Sequence, residues 1–150
     1  MSQYFKIFSV ITFIALFGFS SFAQRRPKDK ILDRKVFVVT MELQVEKERK
    51  KEEPFEEQLT FRSNKMTSMQ MRRSDNGGYQ MGEYVISETE EIMGEEIYHF
   101  QAINKNSKGM SLKWEGKVFG NQIEGTATVS KKGKIKEEYA FKGELKEKRK

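Results

Sequence analysis

From residue 35 onward the chain alternates apolar and polar side chains with a period of two, and it does so in short runs separated by turn residues. On an extended backbone that period sends successive side chains to opposite faces, so each run specifies a strand with one buried face. The runs fall at 35–45, 58–62, 66–72, 79–87, 96–103, 110–119, 122–130 and 135–146. Phe37, Val39, Met41, Leu43 and Val45 share a face in the first, and Leu59 and Phe61 in the second. Leu112, Trp114, Gly116 and Val118 do so in the sixth, Ile123, Gly125, Ala127 and Val129 in the seventh, and Tyr139, Phe141, Gly143 and Leu145 in the last. Ser63-Asn64-Lys65, Asp75-Asn76-Gly77-Gly78, Gly120-Asn121 and Lys131-Lys132-Gly133-Lys134 are turn signals, because these residues tolerate positive φ or hydrogen-bond their own backbone. A helical period of 3.6 is missing throughout. The segment 46–57 has helix-forming residues but is charge-dense and is interrupted by Pro54, so it reads as a loop.

Links this short favour antiparallel neighbours over crossover connections. A meander of eight strands leaves two unpaired edges unless the first strand pairs with the last, and closure removes that liability. The expected fold is therefore all-β, an antiparallel up-and-down eight-stranded barrel, with a two-sheet β-sandwich as the alternative.

The N-terminus has a different character. A short region with Lys6 leads into a largely apolar run at 7–19, and Ser21 and Ala23 occupy the −3 and −1 positions of a signal-peptidase site. Residues 1–23 are expected to be a signal peptide cleaved before Gln24, because a spanning helix needs about 20 apolar residues. Residues 24–150 then form one domain with a charged tail at 146–150, exported to the periplasm or the extracellular space. The chain has no cysteine, which excludes disulfides, thiol catalysis, thiolate metal sites and a cysteine-linked lipid. The signal contains only Lys6 among charged residues, so its removal lowers the net charge from +6 to +5. Basic and acidic residues are mixed along the chain, a statement about solubility.

The last third has a recognisable pattern: Trp114-Glu-Gly116-Lys-Val118-Phe-Gly120, Ile123-Glu-Gly125-Thr126, Gly133-Lys134 and Tyr139-Ala-Phe141-Lys-Gly143-Glu-Leu145. It resembles the closing hairpins of small exported lipocalin-like (calycin-type) proteins. The resemblance implies a barrel that encloses space for one small apolar ligand. It covers about 35 residues of these hairpins in detail, and the remaining chain agrees only in strand count. It departs from the true lipocalins in lacking a Gly-x-Trp near the first strand, since the only tryptophan lies in the sixth.

No residues assemble into catalytic machinery at the level of sequence, and an enzyme is not expected. His99 is the only histidine and faces away from Tyr98 and Phe100 by strand parity, which suits a solvated or packed side chain rather than a general base. Glu90/Glu91 and Glu95/Glu96 fall in an expected charged connection at 87–96 without calcium-loop spacing. There is no Gly-x-Ser-x-Gly elbow. Met66, Met69 and Met71 form a run that soft thioether chemistry permits for cuprous ion. As a strand it puts Met69 and Met71 on one face and Met66 on the other, so no metal site and no cofactor are expected. Basic clusters at 25–30, 47–51, 131–136 and 146–150 are mostly interrupted by acids, and a nucleic-acid partner is not expected.

The aromatic side chains carry the functional expectation. Phe37, Phe61, Tyr98, Phe100, Trp114, Tyr139 and Phe141 converge inside a closed barrel, while Gly116, Gly125 and Gly143 leave space on the same faces. Phe61, Tyr98, Phe100, Trp114, Tyr139 and Phe141 are the candidate ligand-binding residues, for a small hydrophobic molecule. An eight-stranded interior is also narrow enough for its own side chains to fill. In that case the alternative is a protein-interaction or inhibitor module with a filled core, using the 46–57 loop. Both readings are non-catalytic, and neither needs a membrane span in the mature chain.

Overall fold

The computed structural model describes residues 29–44 and 52–147. The expected signal segment, Val45, residues 46–51 of the expected 46–57 loop and the end of the charged tail lie outside the described residues. Eight strands follow in order: β1 (Val36–Leu43), β2 (Phe55–Arg62), β3 (Lys65–Ser68), β4 (Gly82–Ile92), β5 (Glu95–Lys105), β6 (Met110–Phe119), β7 (Gln122–Lys131) and β8 (Lys134–Leu145). Each pairs antiparallel with the next, and β1 also pairs with β8 from Phe37↔Leu145 to Leu43↔Tyr139, which closes the ring. The up-and-down barrel is observed, and the sandwich is not.

The alternation sets the two faces as expected. Phe37, Val39, Met41, Leu59, Phe61, Phe100, Leu112, Trp114, Ile123, Ala127, Val129 and Phe141 are buried inside. One outward row is polar throughout: His99, Lys117, Glu124, Lys142 and Thr40 lie side by side across β5–β6–β7–β8–β1. Among the described residues, no helix is long and apolar enough to cross a membrane.

The structure departs from the expected strand limits at β2, which begins at Phe55 rather than at residue 58, and at β3 and β4, where the departures have a physical cause. The third strand stops at Ser68 instead of continuing to Arg72. The Glu57 carboxylate, buried on β2, accepts hydrogen bonds from Ser68 Oγ (2.6 Å) and from the backbone N–H groups of Gln70 (2.9 Å) and Met71 (3.1 Å). Four donors, including the Gln58 N–H, satisfy a charge that would otherwise be costly to bury, and they curl the chain into a turn. Met66 and Met71 consequently both face the interior and Met69 is exposed, which corrects the parity expected for the methionine run. The Asp75–Gly78 signal forms a single 3-10 turn at Ser74–Asn76, ended by Gly77 at φ 112°, rather than a tight hairpin.

The fourth strand begins at Gly82 rather than at Tyr79 and runs on to Ile92, so the charged connection at 87–96 is the exposed hairpin that its acidic pairs suggest, with longer strands than expected. Met93 and Gly94 both adopt positive φ (52° and 82°), the geometry that matches the twist of paired strands. A bulge between Ile86 and Glu88 shifts the register of this hairpin.

Shortening β3 weakens one seam, because β3 and β4 share only the pairs Lys65↔Glu83 and Met66↔Gly82. Buried Asn104 on β5 bridges it. Its Nδ2 donates to the carbonyls of Met66 (3.0 Å) and Gln80 (2.8 Å), while its Oδ1 accepts from Trp114 Nε1 (2.8 Å). One end of the barrel is stoppered by Leu32, which is fully buried. Asp29 holds that stopper by accepting from the Ile31 and Leu32 N–H groups and from the Tyr84 hydroxyl.

Candidate functional site

The centre of the barrel is filled by its own aromatic side chains. Phe61 packs edge-to-face on Phe37 (6.0 Å between centroids), Tyr84 (5.0 Å) and Phe100 (5.4 Å), and Trp114 packs on Phe141 (5.4 Å). Phe37, Phe61 and Trp114 are fully buried. The inward glycines do not leave space, which corrects that expectation. A Cβ on Gly116 would lie 2.8 Å from the Phe100 ring and 2.9 Å from the Phe141 ring. A Cβ on Gly125 would collide with the Glu115 carbonyl and the Gly116 Cα, and one on Gly143 with the Val38 carbonyl. These glycines let backbones and rings approach closely, and the rings occupy the volume.

Of the six candidate residues, Phe61, Phe100, Trp114 and Phe141 belong to this packed centre. Tyr98 does not join them. It lies partly exposed toward the stoppered end, its hydroxyl donating to Glu96 two residues earlier on the same strand face. Tyr139 sits at the opposite end, where it packs edge-to-face on Phe55 (5.9 Å).

Among the described residues that opposite end is open. A cavity of about 640 Å³ lies over it, floored by Met71, Tyr79 and Tyr139 and walled by Phe55, Met110 and Val129. Each floor residue is nearly buried by its protein neighbours, yet lines the cavity. The turn pinned by Glu57 delivers Met71, and Tyr79 is fixed by its N–H to the Met71 carbonyl (3.0 Å). The Tyr139 hydroxyl donates to Glu137 Oε2 (2.6 Å). Burial raises the pKa of both tyrosines above the phenolic value. Glu137 adds to the rise at each, and Glu52 adds to it at Tyr139. Both hydroxyls therefore stay protonated donors at neutral pH. The mouth offers an apolar, aromatic floor with a few oriented polar groups, the general form of a small-molecule site.

Two other features lie on the outer wall. An outer groove of about 750 Å³ crosses the wall where Gly116 and Gly125 lie side by side, but it is shallow, and Lys117 Nζ pairs with Glu124 Oε1 across it (3.1 Å). At its edge the hairpin bulge brings Glu88 and Glu90 toward His99, with donor atoms all within 4.8 Å of one another. His99 Nε2 is 3.1 Å from Glu90 Oε1 without hydrogen-bond alignment. These three are the donors that a cation would find on this wall, and all of them are partly or fully exposed.

Compared with protein-family models, with curated proteins and with solved structures, the chain matches none of them.

Sequence reasoning missed Phe55, Met71, Tyr79 and Met110 as one constellation. Their separation along the chain hides it, and Phe55 lay inside an expected loop. The available signal was Glu57: an acid at an inward position of an alternating run, next to a serine and turn residues downstream.

Proposed function

We propose that this chain is an exported, non-catalytic binding protein that takes a small apolar ligand at the open mouth of its barrel rather than at its centre. The observation that supports this most directly is the mouth cavity, where Met71, Tyr79 and Tyr139 present an apolar floor above a close-packed core. The lipocalin-like closing hairpins and the signal-like N-terminus agree with the reading. The test is native mass spectrometry of protein purified from its source, followed by calorimetric titration of any released molecule. Binding is expected to be saturable and to be lost in Met110→Glu, which puts a charge on the half-buried wall. Full-affinity binding by that variant overturns the mouth placement.

A protein-interaction module is the second reading, and the edge of β4 favours it. Beyond the N–H of Tyr84, which donates to the Asn64 carbonyl, residues 85–92 have no strand beside them on the β3 side among the described residues. Val85, Ile92 and Met93 are exposed there. An extended partner segment can pair with such an edge. The loop originally expected to serve this role is shorter than 46–57, because Phe55 to Glu57 belong to β2. Capture of an extended partner by the intact protein, lost when Ile86→Pro removes the backbone donor on the same side as the Tyr84 N–H, is the expected result.

A further inference from the structure

The β4–β5 ladder carries an extra residue at Ser87, and that residue decides what faces His99. Pairing runs Tyr84↔Ala102, Val85↔Gln101 and Ile86↔Phe100, then resumes at Glu88↔His99. An unbroken ladder would put Ser87 opposite His99, with Thr89 and Glu91 following on that face. The bulge instead puts Glu88 opposite His99 and Glu90 two residues further along the same face. The two carboxylates and an imidazole nitrogen of His99 thereby come within 4.8 Å of one another, the one such set of three histidine or acidic donors among the described residues. Among the same residues, His99 Nε2 is the one buried side-chain nitrogen or oxygen without a hydrogen-bond partner. The side chain is 32% exposed, but Nε2 itself is closed off from solvent and lies 3.1 Å from Glu90 Oε1, out of line for a hydrogen bond. Lys117, opposite His99 on β6, is engaged with Glu124 at 3.1 Å. A buried imidazole nitrogen beside two carboxylates, outside any hydrogen bond, has the surroundings of a metal ligand.

We propose that Glu88, Glu90 and His99 bind a divalent ion of the zinc type on the outer wall of the barrel. The site shares no residue with the mouth cavity, so it stands or falls independently of the ligand reading above. One imidazole with two carboxylates suits zinc or a neighbouring first-row ion better than calcium, which takes about six to eight oxygen ligands. Donors about 2.0–2.2 Å from one ion stand at most about 4.4 Å apart. Groups already within 4.8 Å of one another reach that separation by small side-chain rotations. Two ligands come from β4 and one from β5, so the ion clamps the bulged ladder. Three protein ligands leave a fourth position to water or an outside donor.

The experiment is titration of the intact protein, free of any added histidine tag and stripped of metal, with Zn²⁺, Ca²⁺ and Mg²⁺, read by calorimetry and by the imidazole NMR signals. His99 is the only histidine, so those signals report this site alone. Zn²⁺ is expected to bind one to one, to move the His99 signals in step with the heat, and to bind at least about tenfold more tightly than Ca²⁺ or Mg²⁺. His99→Gln and, separately, the double variant Glu88→Gln/Glu90→Gln are expected to weaken Zn²⁺ at least about tenfold. All three side chains lie on the outer wall, and the melting temperature of each variant without metal checks that its fold is kept. If a variant unfolds, the His99 signals of the parent still decide. Absence of Zn²⁺ binding overturns the site and leaves His99 and Glu90 as an ordinary ion pair. Binding that leaves the His99 signals in place, or that survives His99→Gln, overturns it because the ion then sits on other carboxylates. Equal binding of Ca²⁺ overturns it as well, because the imidazole then contributes nothing.

Discussion

Asn104 Oδ1 accepts a hydrogen bond from the Trp114 indole at 2.8 Å while Asn104 Nδ2 donates across the β3–β4 seam, so one buried amide joins the core to the weakest edge of the ring. Removing it leaves a buried indole N–H and two carbonyls without that partner. Asn104→Ala is expected to cost about 3 kcal/mol in urea unfolding, since each buried unsatisfied group costs about 1–3 kcal/mol. A loss below about 1 kcal/mol means the seam is held by something else.

Because the centre is filled, the indole of Trp114 is expected to resist collisional quenching by acrylamide until the protein unfolds. Trp114→Ala is expected to cost about 3–5 kcal/mol, the range for emptying a large core site. Free quenching in native buffer would show that the interior is open.

Gly125 has no room for even a methyl group, since the colliding atoms are the backbone of Glu115 and Gly116. Gly125→Ala is expected to destabilise by about 2 kcal/mol or more, within or above the usual range for overpacking. Gly133, with open space around its Cα but φ 74°, is expected to tolerate Asn with a much smaller loss. Equal effects at the two sites would contradict the close approach at Gly125.

Alkaline stability follows from Tyr84, Tyr139 and Tyr79. Burial is the largest cause of their raised pKa, followed at Tyr84 by its bond to Asp29, at Tyr139 by its bond to Glu137, and at Tyr79 by the charge of Glu137. The folded protein keeps these protons above pH 10.0, where the unfolded chain releases them. Their contribution is therefore complete below pH 10.0 and is lost as pH rises above it, by up to about 1.4 kcal/mol per pH unit for each fully shifted group. Thermal melts across this range are expected to fall steeply in the parent and less steeply in Tyr84→Phe. Parallel slopes would remove Tyr84 from the account.

If Ser21 and Ala23 form the cleavage site, intact-mass analysis of exported protein is expected to place the mature N-terminus at Gln24. Exported protein that retains Met1 through Ala23 would instead indicate an anchor.

Strand order, antiparallel pairing and the packed face were legible in the sequence because a period of two is a local property: Phe37, Val39 and Met41, or Leu112, Trp114 and Val118, face inward whatever their neighbours do. Closure was legible too, since the only way to satisfy both edges of such a meander is to pair β1 with β8. The tertiary structure alone decided where strands end. β3 stops at Ser68 because Glu57, on another strand, captures the next two backbone amides but one, and β4 continues through its acids because β5 pairs with them. It also decided that the glycines admit rings and not a ligand, since the width of a barrel depends on which side chains meet across it. The mouth belongs to this second category. Met71, Tyr79, Met110, Glu137 and Tyr139 share a rim only because three separate strand connections, β3–β4, β5–β6 and β7–β8, come together at one end. Alternation assigns a side chain to a face, but the height at which strands pair around the ring sets its depth along the barrel.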